Sequence, residues 1–390
     1  MELLSLLGVL VAFAASLLVV LFVHSRVIKF ALKHNVVDVP DARKLQRRPV
    51  PVLGGVAVFF GLLVGLCAAT PFMDIKPLLP MFVAMSVMLC VGVADDVSGL
   101  SPRLRFLVEI AVVVALVFMT GISLNDFQGL WGVGTVPMWV SLPLTIVAVV
   151  GIINAINLVD GVDGLSSGYC IMASIAFGAM FLDAGSVEML LLCAISVGSL
   201  LPFFFHNVFG KTSKMFIGDG GTLMMGVVMS TCVVSIVSSG GPCEKCVSGG
   251  MGLVPFVLAV MCIPVFDTLR VMTMRIIRHT SPFKPDKTHM HHLFIELGFS
   301  HVGTTACELL LNVLVILSWW ISYKLGASVD VQFYVVMAVG VLLTVGLYKF
   351  MRIQIVGNTA IFKLMQKIGA KTKAEECKGW VAIRNIMDRM

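Results

Sequence analysis

The chain has 390 residues, 58% hydrophobic and only 13% charged, with a formal net charge of +6 at neutral pH. A mean hydropathy of +0.99 excludes an ordinary soluble domain. The basic excess is divided among short segments between apolar runs, which reads as a topology signal and argues against a nucleic-acid partner.

Eleven apolar runs approach or exceed the roughly 20 residues that span hydrocarbon. They fall at 3–23, 52–70, 79–94, 106–121, 137–154, 165–182, 188–205, 221–238, 251–269, 304–323 and 330–348. The first is too long for a signal-peptide core and has no basic stretch before it, so it reads as a membrane helix. The expected fold is all-α: a polytopic integral membrane protein of about 11 transmembrane helices. One membrane-embedded domain covers 1–350, and a basic cytoplasmic tail covers 351–390. When alternate loops are assigned to opposite sides, 25 of the 28 Lys and Arg residues share one side, leaving Lys76, Lys245 and Lys324 on the other. That asymmetry predicts an outside N-terminus and a cytoplasmic C-terminus.

Ten cysteines lie mostly inside apolar runs, as small hydrophobes. Cys243 and Cys246 instead occupy an outward loop, where both a disulfide and a free pair remain open. Zinc would need further ligands that this loop lacks.

The polar residues collect on the basic side. The first loop carries Asp38, Pro40, Asp41, Arg43, Lys44, Arg47, Arg48, Pro49 and Pro51, then Gly54-Gly55. Prolines restrict their neighbours, so such a segment can hold cations as a clamp on a phosphate. The alternative is a basic loop drawn to anionic lipid. Asp95-Asp96 ends the third run in GVADD, and Arg105 follows within reach. Neighbouring carboxylates repel each other, so such a pair invites a divalent cation or serves as base and orienter.

In NAINLVDGVDG, Asn154, Asn157, Asp160 and Asp163 recur every third residue, which strings oxygen donors along one helical stripe. Hard cations such as Mg²⁺ favour those donors, while the spacing of a calcium-binding EF-hand is missing. His206-Asn207 comes next, then Lys214 and FIGDGG, which puts Asp219 in a glycine-rich turn before a helix start. The last large loop holds Asp267, Arg270, Arg275 and Arg278, then Asp286, Lys287, His289, His291 and His292. Those three imidazoles do not share one helical face, which favours hydrogen bonds to a sugar or diphosphate over zinc. A carboxylate near the bilayer centre costs roughly 2.5–3.5 kcal/mol. Asp95, Asp96, Asp160, Asp163 and Asp219 all mark run ends on one side, which solvated helix ends alone would not require.

The ordered set D-x-P-x-x-R-K, P-x-x-GG, G-x-x-DD, NAxNxxDGxDGL, K-x-F-x-GD-x-G and PDKxHxHH resembles the polyprenyl-phosphate N-acetylhexosamine-1-phosphate transferases over roughly residues 38–292. The histidine motif is similar to the branch that uses UDP-GlcNAc, more than to the branch that uses UDP-MurNAc-pentapeptide. Lys287 stands where Arg is more usual and Thr222 where Ser is frequent.

The resemblance implies transfer of a sugar 1-phosphate from a UDP-N-acetylhexosamine to undecaprenyl phosphate at the cytoplasmic face of the inner membrane, with release of UMP. It implies Mg²⁺, with Mn²⁺ as a substitute, near Asn157 and Asp219, with Asp96 a further ligand. The catalytic set it implies is Asp95, Asp96, Asp160, Asp163 and His291. Its substrate-binding set is Lys44, Arg105, Asn154, Asn207, Lys214, Asp286, His289 and His292. Within these, Asp95 would orient or deprotonate the lipid phosphate, Arg105 would hold it and Asn207 would reach the uridine. A homodimer stays open. The rival from another class is a cation-coupled transporter, whose carboxylates would lie in mid-span rather than at one face.

Overall fold

The computed structural model describes residues 3–38, 49–247, 249–281, 287–373 and 377–390. Lys44 and Asp286 lie outside them, as does most of the expected first-loop clamp. The molecule is built almost entirely of helices: α1 (Leu3–Lys33), α2 (Gly54–Ala69), α3 (Leu79–Ser98), α4 (Pro102–Thr120), α5 (Met138–Val159), α6 (Leu165–Ala184), α7 (Val187–Phe209) and α8 (Gly218–Val237) form its first part. A short α9 (Glu244–Val247) precedes α10 (Leu253–Val260), α11 (Cys262–Ile277), α12 (Met290–Glu296), α13 (His301–Lys324) and α14 (Val329–Val341). A π-helical turn leads from α14 into α15 (Leu347–Val356), and α16 (Ala360–Lys371) and α17 (Lys378–Arg389) complete the chain.

The eleven apolar runs all fall on helices, as expected of a multi-pass membrane protein, with the run 251–269 divided between α10 and α11 and the run 330–348 passing from α14 through the π-helical turn into α15. By length and composition, eight helices among the described residues can cross a membrane, or nine if the bent pair α10–α11 is one span. The difference from eleven lies in α2 and α4. At 1.5 Å per residue the 16 residues of α2 reach only about 24 Å, and α4 carries Arg103, Arg105 and Glu109.

Helices apolar all round must be covered by lipid or by protein. For α8 the cover is protein: every residue from Gly220 to Val237 is buried, with α3 and α5 against it and α2, α6 and α10 around. Lipid tails offer no hydrophobic drive for helices to associate, so close packing of small residues takes over. Gly92 of α3 supplies it, since a Cβ there would overlap the backbone of Asp219 and Gly220. That approach sets the start of α8 against the end of α3.

The segment before α8 is fixed by strand-like pairing. β1 (Val37–Asp38) pairs antiparallel with β2 (Val50–Pro51), and Phe216 N–H donates to the Pro51 carbonyl at 2.8 Å. Gly54 and Gly55 N–H return bonds to the Phe216 and Ile217 carbonyls at 2.9 and 2.8 Å. The P-x-x-GG and K-x-F-x-GD motifs therefore meet, and the pairing ends at Gly218, whose φ of +71° suits glycine.

The 74° bend between α10 and α11 has a local cause. Pro264 has no N–H, which leaves the Val260 carbonyl without its helical donor. Tyr169 Oη and Asn312 Nδ2 (3.0 Å) donate to that carbonyl, and Asn312 Oδ1 accepts Ile263 N–H at 2.9 Å. The break is thus satisfied inside the protein, as backbone at membrane depth requires.

Candidate active site

Four helix ends converge on an acidic centre: the C-termini of α3 and α5 and the N-termini of α4 and α8. Asp95 Oδ1 accepts Leu100 N–H at 2.7 Å, closing the turn into α4, while its Oδ2 lies 3.2 Å from Arg105 Nη1. Ser101 caps α4 by accepting Leu104 N–H, which faces Arg105 inward one turn later. The Arg105 fork also reaches Asn154 Oδ1 at 3.4 Å and Asp219 Oδ2 at 3.8 Å. Its Nε is 3.5 Å from Glu109 Oε1. Glu109 is fully buried and accepts a 2.6 Å bond from Asn154 Nδ2.

Asp96 does different work from its neighbour. Its oxygens accept the N–H groups of Asp219 (3.1 Å) and Gly220 (3.3 Å) at the start of α8. Those amides have no helical partner, and the positive end of the helix dipole favours a carboxylate there. Asn157 Nδ2 donates to Asp219 Oδ1 at 2.7 Å and to Thr222 Oγ1 at 2.8 Å. The Asp219 side chain is 36% exposed against 15% for Asp95, so it is the more open to a ligand.

A second group flanks the centre. Asp163 pairs with Lys214 Nζ at 2.6 Å and His301 Nδ1 at 2.8 Å. Burial pushes the Asp163 carboxyl up, but these two partners outweigh it and hold it below the usual range. Asp160 accepts a 2.5 Å bond from Ser166 Oγ. Asn207 is buried, with Oδ1 accepting Gly164 N–H (2.6 Å) and Nδ2 donating to the Met215 carbonyl (2.9 Å). Both ends of that amide thus brace the 160–164 loop against the strand-like segment before α8, whereas the resemblance implies a reach to the uridine.

The histidines enter through Asp267, which is buried and accepts from Arg270 (2.6 Å), His289 Nδ1 (2.8 Å) and Met290 N–H (3.3 Å). Arg270 also donates to the Thr288 carbonyl and lies 3.7 Å over the Tyr348 ring. His291 stacks parallel to His289, with centroids 5.7 Å apart, and tilts against His292 at 4.3 Å. Its ring sits so close to Gly161 that a Cβ there would overlap it.

Burial, then His292 and His289, pushes the His291 pKa down to about 3, with Asp267 opposing. The imidazole is therefore neutral at physiological pH, a polar contact rather than a cation. The unfolded chain takes up a proton below about pH 6.5 that the folded chain refuses, so stability falls as pH drops from there toward 3. His291→Gln is expected to remove about 2 kcal/mol of the stability lost between pH 7 and pH 5. Thermal unfolding of both proteins in detergent checks this, and an unchanged pH slope would contradict it.

Of the residues expected from sequence, the structure brings Asp95, Asp96, Arg105, Asn154, Asn157 and Asp219 into one set of hydrogen bonds and ion pairs, its halves joined by Arg105 and Asp219. Asp163 and Lys214 form a pair beside it, and His291 meets the loop between Asp160 and Asp163. Sequence reading missed Glu109, whose signal was a lone carboxylate in an apolar run four residues beyond Arg105. It also missed His301, and it named Asp267 beside Arg270 without joining it to His289 and Met290. Among the described residues, no three His, Cys, Asp or Glu side chains are grouped to hold a metal ion. Cys243 and Cys246 are free thiols beyond the end of α8 opposite Asp219.

Residues 78–237 match the model for glycosyl transferase family 4. The chain is 32% identical over 294 residues to a probable undecaprenyl-phosphate N-acetylglucosaminyl 1-phosphate transferase of Bacillus subtilis, covering 75% of this chain and 79% of that protein. It is 29% identical over 304 residues to the undecaprenyl-phosphate alpha-N-acetylglucosaminyl 1-phosphate transferase of Pasteurella multocida, covering 76% and 80%. For the Yersinia pestis protein of the same description the figures are 28% over 281 residues, 70% and 73%.

Proposed function

The chain belongs to glycosyl transferase family 4, and from that footing we propose that it transfers N-acetylglucosamine 1-phosphate from UDP-GlcNAc to undecaprenyl phosphate. UMP leaves, and the lipid-diphosphate sugar begins a cell-envelope polysaccharide. The observation that carries this reading is the convergence of Asp95 and Asp219 on the guanidinium of Arg105, with Asp96 bonded to the backbone that holds Asp219. Three carboxylates, with Glu109 behind, exceed the positive charge facing them, so the centre attracts cations. A cation-coupled transporter has no evident use for a guanidinium that bridges two helix-end carboxylates.

In the reaction, a lipid phosphate oxygen forms a bond to the β-phosphorus of the UDP-sugar. The bond from that phosphorus to the bridging oxygen breaks, and its electron pair leaves on UMP. Two anions must meet, so charge neutralisation and alignment dominate the barrier. Oxygen donors, net negative charge and the exposed Asp219 carboxylate beside Asn157 fit a hard divalent cation. Bound Mg²⁺, or Mn²⁺ in its place, would supply neutralisation of the diphosphate. Asp219, Asn157 and Asp96 would hold it.

The side chains do the rest. Arg105 receives the acceptor phosphate and Asp95 orients both. A phosphate monoester is largely ionised near neutral pH, so Asp95 needs to align more than deprotonate. Asp96 fixes the start of α8 and hence the direction of Asp219. Lys214 and the Asp160–Gly164 loop face the nucleotide diphosphate, with His289 and His292 toward the sugar. The charge asymmetry of the loops supports a site at the cytoplasmic face of the inner membrane, with the N-terminus outside. There the site meets a lipid phosphate at headgroup level and a nucleotide sugar from the cytosol.

The test is purified protein with undecaprenyl phosphate, Mg²⁺ and a panel of UDP-sugars, followed by UMP release. UDP-GlcNAc is expected to turn over, and UDP-MurNAc-pentapeptide is not. Flux of a labelled solute through proteoliposomes with no UMP formed would support the carrier instead.

A further inference from the structure

Between α7 and α8, residues 210–217 form no helix or regular strand of their own, yet Lys214 within them reaches Asp163. What shapes this loop comes from the far end of the chain. Asp388 Oδ1 accepts the N–H groups of Lys211 (2.9 Å), Thr212 (3.0 Å) and Ser213 (3.0 Å), and the Ser213 hydroxyl at 3.0 Å. Three successive amides aimed at one oxygen make an anion nest, and bonds to an ionised carboxylate are roughly twice as strong as neutral ones. These bonds outweigh partial burial and hold the Asp388 carboxyl below its usual range, so it is ionised at working pH.

The clamp closes from the other side as well. His24 of α1 bonds through Nε2 to the Ser213 carbonyl at 2.8 Å. Helix α17 is itself seated: Trp380 packs on Phe209 of α7 with ring centroids 4.4 Å apart, and Ser25 Oγ donates to the Met390 carbonyl at 2.8 Å.

We propose that Asp388 is a positioning residue for transfer: by filling the amide nest of residues 211–213 it fixes the loop that delivers Lys214 to Asp163 beside the nucleotide-sugar subsite. The C-terminal helix thus serves the active site across 174 residues of chain without touching substrate. Free of that carboxylate, residues 211 and 212 lose this tether, while Ser213 keeps His24, Met215 keeps Asn207, and Phe216 and Ile217 keep their backbone bonds to Pro51, Gly54 and Gly55. The reach of Lys214 then becomes one of several arrangements.

The kinetic arm of the test rests on the function proposed above; a second arm does not. Asp388→Ala is expected to lower kcat/KM for UDP-GlcNAc roughly tenfold, the worth of one hydrogen bond to a charged group. The loss should appear in the KM for the nucleotide sugar, with the KM for undecaprenyl phosphate unmoved. Asp388→Asn keeps the shape and an acceptor oxygen, so it should fall between, and it reads the charge if the alanine variant cannot be purified. In a Lys214→Ala background, Asp388→Ala should cost nothing further, because both act through one contact. Hydrogen exchange of the Lys211–Ser213 amides should quicken in both Asp388 variants. Unchanged exchange, wild-type kinetics, or a full additive loss on top of Lys214→Ala would each overturn the proposal. If the wild-type protein releases no UMP, the function fails and exchange alone decides the role of Asp388.

Discussion

Asp219→Asn is expected to lower UMP release about 10²–10³-fold while leaving the protein folded. The amide keeps the volume of the carboxylate and an oxygen for the Asn157 donor. The backbone N–H of residue 219 still caps onto Asp96. What disappears is the negative charge of a carboxylate more open than Asp95, one of the groups that would hold a divalent cation. Asp95→Asn should cost a similar factor for a different reason. Its oxygen can still accept Leu100 N–H, but Arg105 loses its nearest counter-charge and the alignment that goes with it. The measurement is kcat/KM for each variant at saturating Mg²⁺, with thermal unfolding as the control. Wild-type rates in either variant would move the active site elsewhere.

Arg105→Ala carries the largest expected stability effect. The guanidinium, whose side chain is 21% exposed, lies against Asp95, Asp219 and the fully buried Glu109. Removing it leaves Glu109 with only the Asn154 amide as partner. An uncompensated buried charge of this kind costs about 3–5 kcal/mol. A drop in melting temperature should therefore accompany loss of activity, and Glu109→Gln should restore much of the stability but none of the turnover. Arg105→Lys separates the two roles. An ammonium keeps the charge but cannot touch Asp95, Asn154 and Glu109 at once from a planar fork. Near-normal stability with turnover reduced by roughly tenfold or more is the expected outcome. If Glu109→Gln fails to rescue Arg105→Ala, the stabilising role of Arg105 lies outside this pair.

The two families of variants also separate the proposed acceptor and donor subsites. Arg105 variants should raise the KM for the lipid phosphate, whereas Asp388 variants should raise that for the nucleotide sugar. A shared pattern would mean that both act on the frame of the site rather than on one substrate.

The amino-acid sequence by itself determined that this is an almost all-helical membrane protein, since the apolar runs fall on helices, one of them on the bent pair α10–α11. It also marked the helix ends at which polar side chains gather. Asp95, Asp96, Asn154, Asn157 and Asp219 were visible because a carboxylate or amide at the edge of an apolar run is costly and therefore conspicuous. Local order along one chain is enough for both inferences. Only the tertiary structure decided who meets whom. Asp96 turned out to cap a helix 123 residues away, Asn207 to brace two backbones, and Glu109 to sit under Arg105. Asp388, in a tail that looked merely basic, holds a loop near the centre of the chain. Such pairings depend on how closely helices approach, and Gly92 against Gly220 sets that distance. Periodicity reports the face and the end of a single helix, and the partner of a buried polar atom is fixed only when backbones from distant segments pack together.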